Sequence, residues 1–167
     1  PCMFEQIRQR YEQQHGLDSR YLTRIAEINL SNARRNPRAQ TRDWKLQAEH
    51  FAANDEFNPR VEGELRRRDC GQISDGCAVL FLCSEAFARE HARREGRSKH
   101  YPSILGWGQR RSVLPLAEKL PDSAAGGLMF PHLQRTINDA LGRAGIADAW
   151  QLDLIETHDC FTVSEYL

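Results

Sequence analysis

Lysine is nearly missing from this chain, which has 3 lysines against 20 arginines. Basic and acidic residues balance at 23 each, so the basic excess that a general nucleic-acid or membrane-surface binder needs is absent. The arginines are scattered, as a coding bias would leave them. Two short clusters stand out, Arg66, Arg67 and Arg68, and Arg93, Arg94 and Arg97; they read as solvated faces, with a phosphate contact as the alternative. No apolar run approaches the ~18 residues of a membrane span, and the opening PCMFEQ lacks a signal-peptide layout. None of the five cysteines (Cys2, Cys70, Cys77, Cys83, Cys160) forms a CxxC pair, which argues against a zinc ribbon, and no metal site is expected. An odd cysteine count without a dense framework suggests reduced thiols and a cytoplasmic setting. No internal repeat is found. The chain opens without Met, inside what reads as a helix, and this fits a fragment or a processed chain better than a natural start.

The 167 residues suit one domain or pieces of two. Phe4, Ile7 and Tyr11 share one helical face over residues 3–14, with Gly16 as a stop. Asp18 can cap a second helix whose buried stripe is Tyr21, Leu22, Ile25, Ala26 and Ile28. That helix should end before Asn36-Pro37. Residues 37–63 have little periodicity and read as an irregular excursion, with a short helix around 44–52.

An unbroken apolar run from Cys77 to Cys83 follows the turn residues Ser74, Asp75 and Gly76. It reads as a strand buried on both faces, with Cys77 and Cys83 as small hydrophobes. Ser84 can cap the next helix, with Phe87, Ala88 and Ala92 inward and Gly96 closing it. Residues 102–113 read as another strand, in which Gly106 and Gly108 permit close approach of backbone or ligand. A Pro-, Ser-, Ala- and Gly-rich loop covers 114–127. Pro131 opens a helix carrying Leu133, Ile137, Leu141 and Ala144, which Gly145 ends. Residues 152–156 form a short strand leading to His158. This alternation of strand and helix is an α/β order, a sheet with helices packed on its faces.

His158 thus stands just beyond the carboxyl end of a strand, where α/β sheets build their sites. An imidazole there can donate to a developing oxyanion or move a proton. Asp159 could orient a neighbour or cap the helix starting near Thr162. By spacing alone, a polar turn leading into a helix is the favoured reading of these residues. A Cys160–His158 nucleophile pair is disfavoured, because residues at i and i+2 of a turn rarely present both side chains to one atom.

The segment LDLIETHDCFTVSEYL resembles thiolases, in which a strand ends in a short motif. In the sterol-carrier-protein branch that motif is His-Asp-Cys-Phe, read here as His158, Asp159, Cys160 and Phe161. The segment YEQQHG at 11–16, the stretch NPRAQ at 36–40 and CGQISDGCA at 70–78 resemble further segments of the same family. The likeness covers nearly all of the chain.

The resemblance implies a thiolase-like fold of two halves, each a mixed sheet with helices on both faces, of which this chain holds the middle part. Residues 1–64 would be a loop region, 65–97 the last strand and helix of the first half, and 98–167 the opening of the second half. It implies acyl transfer to or from coenzyme A through an acyl-cysteine. His158 would hold the thioester oxygen and stabilise the enolate, with Asp159, Cys160 and Phe161 supporting the motif. Coenzyme A or acyl-CoA would be substrate, with no covalently bound cofactor, and its contacts cannot be matched to single residues. The family's nucleophilic cysteine would lie upstream; its Gly-His-Pro and Cys-x-Gly motifs would lie downstream. A homo-oligomer, dimer or tetramer, is implied, in the cytoplasm of a bacterium or the peroxisome of a eukaryote. The alternative is a thiolase-like scaffold or retro-aldolase subunit acting on acyl-CoA with a partner protein.

Overall fold

Two helices form at the start of the chain because the apolar spacing, a cap and a stop agree. In the computed structural model, which describes residues 1–96, 101–119 and 128–167, α1 spans Cys2–His15 and ends at Gly16, whose φ is 73°. The Asp18 carboxylate accepts from the Arg20 N–H and caps α2 at Ser19–Arg35, which stops before Pro37. Ile7, Leu22 and Ala26 are buried as their spacing predicts, whereas Tyr21 and Ile28 are exposed. The helix expected around 44–52 contracts to a single 3-10 turn, Ala48–His50.

The excursion at 37–63 ends in a hairpin that periodicity does not announce. β1 (Arg60–Glu62) and β2 (Leu65–Arg66) pair antiparallel, with a register irregularity between Arg60 and Glu62. Gly63 turns the chain with φ 52°. Beneath it lies the Glu5 carboxylate, which accepts two hydrogen bonds from the Arg8 guanidinium, one from Gln9 and one from the Glu64 N–H. A Cβ at Gly63 would collide with that carboxylate.

Ser84 caps α3 (Glu85–Arg94) by accepting from the Phe87 N–H. A short helix, α4, covers Leu116–Lys119. α5 (Pro131–Ala144) starts on its proline and ends at Gly145, which is left-handed at φ 71°. The last helix, α6 (Thr162–Tyr166), packs against both α1 and α2. Leu65 of β2 and Val163 of α6 are completely buried, each worth about 1.5–3 kcal/mol of transfer free energy.

The expected strands do not form. Residues 77–83, 102–113 and 152–156 join no ladder, and the sheet among the described residues is β1–β2 alone. The side chains of Val79, Leu80, Phe81 and Leu82 are 70%, 87%, 94% and 77% exposed, so this run is buried on neither face. Cys77 and Cys83 are exposed as well. A buried strand requires backbone partners on its edges and covering layers on its faces, and among the described residues nothing supplies them. The inward face assigned to α3 fares likewise: Phe87 is exposed. The segment at 102–113 does find one surface. Gly106 and Gly108 lie so close to Ala140 and Thr136 of α5 that a Cβ on either would strike a helix carbonyl oxygen. Arg143 donates to the Trp107 carbonyl and stacks on the Trp107 ring, while Arg110 pairs with Asp139 at 2.6 Å. The close approach expected of the two glycines is therefore to a helix backbone. The loop expected at 114–127 falls from residue 120 onward outside the described residues, as does Arg97.

Among the described residues no helix is long and apolar enough to cross a membrane.

Candidate functional site

Residues 152–157 reach the turn outside any helix or ladder with exposed side chains, and the chain then folds onto its own first seventy residues. The Gly71 N–H donates to the Cys160 carbonyl at 2.8 Å, and Cys70 and Phe161 form an isolated antiparallel bridge. Gly71 matters at this crossing: a Cβ there would meet the Cys160 carbonyl oxygen at 3.1 Å. The Phe161 ring stacks on Phe4 of α1. One residue further, the Thr162 hydroxyl donates to the Asp69 carboxylate at 2.8 Å. Backbone pairing, ring stacking and a hydroxyl–carboxylate bond thus fix the motif from one side.

From the other side the motif is held by α2. The Asn29 side-chain amide donates to Asp159 Oδ2 and to Glu165 Oε2, both at 2.7 Å. Asp159 therefore orients against a neighbour and does not cap α6, whose first residue follows Phe161 with no side-chain cap. Burial pushes the Asp159 carboxyl above its usual range, and the adjacent Glu165 charge adds to the rise; Asn29 and His158 pull the other way. Its second oxygen, Oδ1, is buried without a hydrogen-bond partner among the described residues.

Four consecutive residues thus take four different situations. His158 is exposed at the tip; Asp159 is half-buried and bound to Asn29; Cys160 is half-buried with its thiol 3.7 Å from the Ser164 hydroxyl; Phe161 is half-buried against Phe4. An exposed imidazole on a turn anchored at three points can meet a ligand without rearrangement of its support. The Cys160 thiol faces the Ser164 hydroxyl. Among the described residues no group of three or more His, Cys, Asp or Glu side chains could hold a metal ion.

The roles of Asn29 and Asp69, and the partner of Phe4, are not legible in the sequence. Asn29 lies next to the apolar stripe of α2, and no local signal distinguishes it. Phe4 shares a helical face with Ile7 and Tyr11, but its ring partner Phe161 lies at the far end of the chain.

A second concave region lies between α2 and the segment that follows it. Leu30, Arg34, Leu46 and Phe51 line it, and Arg42, Trp44 and Lys45 stand at a neighbouring cleft. The Arg34 guanidinium donates to the Leu46 carbonyl at 2.8 Å, holding the segment against the helix.

No protein-family model and no solved structure matches the chain. Two curated proteins do. An acetyl-CoA acetyltransferase of Methanothermobacter thermautotrophicus is 26% identical over 175 residues, covering 100% of this chain and 39% of its own length. Sterol carrier protein 2 of Gallus gallus is 23% identical over 180 residues, covering 100% of this chain and 28% of its own length. The chain therefore spans less than two fifths of either relative. Both matches support the thiolase-type assignment suggested by the motifs at 11–16, 36–40, 70–78 and 158–161.

Proposed function

We propose that the chain is the middle portion of a thiolase-type acyl-CoA C-acyltransferase and contributes His158 to its site. The observation that carries the reading is the turn at 158–161, anchored by Gly71, Phe4 and Asn29 while its imidazole faces outward. Acyl transfer to carbon develops negative charge on the thioester oxygen as the enolate forms. An N–H donor already held in place stabilises that charge without reorganisation, and loss of one such donor costs about 10²–10³ in rate.

In this reading the nucleophilic cysteine and the remaining acid–base groups come from outside these residues. Residues 1–64 serve as the loop region, 65–97 close the first half of a thiolase-like fold, and 98–167 open the second. The exposed apolar run Val79–Leu82 is what a central strand of a mixed sheet presents when its neighbours belong to other parts of the protein. Arg34, Arg42, Lys45 and Trp44 offer cations and an aromatic face suited to the phosphates and adenine of coenzyme A.

The test is direct. The purified chain should show no thiolysis of acetoacetyl-CoA, and in the protein that carries it His158→Ala should lower turnover about 10²–10³-fold. Turnover by the chain alone, or an unaffected His158→Ala enzyme, overturns the assignment.

A further inference from the structure

Two carboxyl groups, from different elements, converge on one neutral amide. Asp159 belongs to the turn and Glu165 to α6, yet each presents an oxygen to the same Asn29 nitrogen at 2.7 Å. An amide nitrogen has two N–H donors, and both are spent here. The asparagine stands on α2, whereas its two acceptors lie more than a hundred residues later in the chain. Without a donor between them, two carboxylates so placed would repel each other and separate.

We infer that Asn29 is a positioning residue: by giving one N–H to Asp159 and the other to Glu165 it sets the place and the ionisation of the turn that carries His158. The role of that turn in acyl transfer rests on the reading proposed above, but the positioning itself does not.

The groups that face Asp159 are few. Glu165 raises its affinity for a proton, and His158 and Asn29 lower it. On the hairpin side Asp69 is occupied by the Thr162 hydroxyl and the Arg66 N–H. Arg68 lies over the Trp44 ring. Loss of the Asn29 donor therefore removes one of two influences favouring the carboxylate and leaves His158 alone to oppose the Glu165 repulsion. The Asp159 carboxyl then titrates at higher pH, the turn loosens, and the bond between the Gly71 N–H and the Cys160 carbonyl opens more often.

The experiment follows the Asp159 and Glu165 side-chain carboxyls by carbon-13 NMR through a pH titration of this chain, together with amide exchange at Gly71. Asn29→Ala should move the Asp159 midpoint up and speed Gly71 exchange about tenfold or more, the scale of one hydrogen bond to a charged group. Glu165→Gln, an exposed change that keeps the Asn29 bond to Asp159, should move the midpoint down. An asparagine that only fills space would leave the Asp159 midpoint in place and speed exchange throughout α2 alike, and that result overturns the inference. If Asn29→Ala fails to fold, an unmoved Asp159 midpoint in Glu165→Gln overturns it equally. In the protein carrying the chain, Asn29→Ala should lower kcat more than it raises KM. An inert His158→Ala enzyme would sink the catalytic reading, while the titration would still decide the positioning.

Discussion

The rings of Phe4 and Phe161 stack nearly face to face, with centroids 4.1 Å apart and 21° between their planes. One belongs to the first turn of the chain and the other to the motif near its end, so the contact couples the stability of α1 to the seating of the His158 turn. Stacked aromatic pairs add about 0.5–1.5 kcal/mol beyond the area they bury. Phe161→Ala should lower unfolding free energy by about 2–3 kcal/mol, somewhat under the full-core range because both rings are half-buried. Phe4→Ala should cost a similar amount, and the double variant less than their sum. Urea denaturation of the four proteins measures the coupling; strict additivity would show that the rings do not depend on each other.

Glu5 and Arg8 lie almost wholly inside, at 4% and 6% exposure. Burial opposes the ionised Glu5, but hydrogen bonds from Arg8, Gln9 and the Glu64 N–H outweigh it and hold the carboxyl below its usual range. A depressed carboxyl contributes stability at pH values above the ordinary carboxylate range, near pH 4.3, and loses it as pH falls through the depressed value. Glu5→Gln should abolish that part of the acid slope and cost about 2–3 kcal/mol at neutral pH, because Arg8 keeps its bond to Glu12 but loses its buried partner. Thermal melts between acid and neutral pH compare the two proteins; parallel curves would contradict the assignment.

Gly108 touches the carbonyl of Thr136 closely enough that no side chain fits between them. Gly108→Ala should lift the segment from α5, break the stacking of Arg143 on Trp107, and cost about 1–3 kcal/mol as overpacking does. The Trp107 indole signal, assigned by NMR, would shift toward its position in unfolded peptide. An unmoved signal would mean that the segment does not lie on the helix.

The five thiols separate by environment. Burial pushes the Cys70 thiol up, with the Asp69 charge adding to the effect, while Cys77 and Cys83 are exposed. Since the thiolate is the reacting form, alkylation at pH 8 should modify Cys77 and Cys83 well before Cys70, as peptide mass spectrometry would record. In the larger protein proposed above, Cys77 and Cys83 should become protected as their segment enters a sheet; equal labelling in both settings would count against that sheet.

Much of the helical framework was legible because local signals decide helices. Asp18, Ser84, Pro131, Gly16 and Gly145 act within one turn of where they stand, and each marks a helix end in the structure. The hairpin at 60–66 was not legible: its two short strands offer too few residues for a period-2 pattern, and its turn depends on one glycine over a buried Glu5. Residues 77–83 show the opposite failure. Their composition suits a buried strand, but a strand is completed by partners distant in sequence, and composition does not name them. His158 is a candidate by its place after an apolar run and by its motif; the bonds of Asn29 are not legible, because nothing within four residues of it hints at carboxyls on the other side of the chain.

The bridge between Cys70 and Phe161 has a consequence for the order of events at the ribosome. α1, α2 and the hairpin are synthesised well before the helix that seals them, α6 with its fully buried Val163. Closing so long a loop costs chain entropy before any contact rewards it, and native pairings between distant residues slow folding. The first seventy residues must therefore wait with Ile7, Leu22 and Leu65 partly uncovered until residue 163 arrives. Nascent chains stalled before that residue should remain clients for chaperones, and emergence of α6 should let the assembly close in one cooperative step.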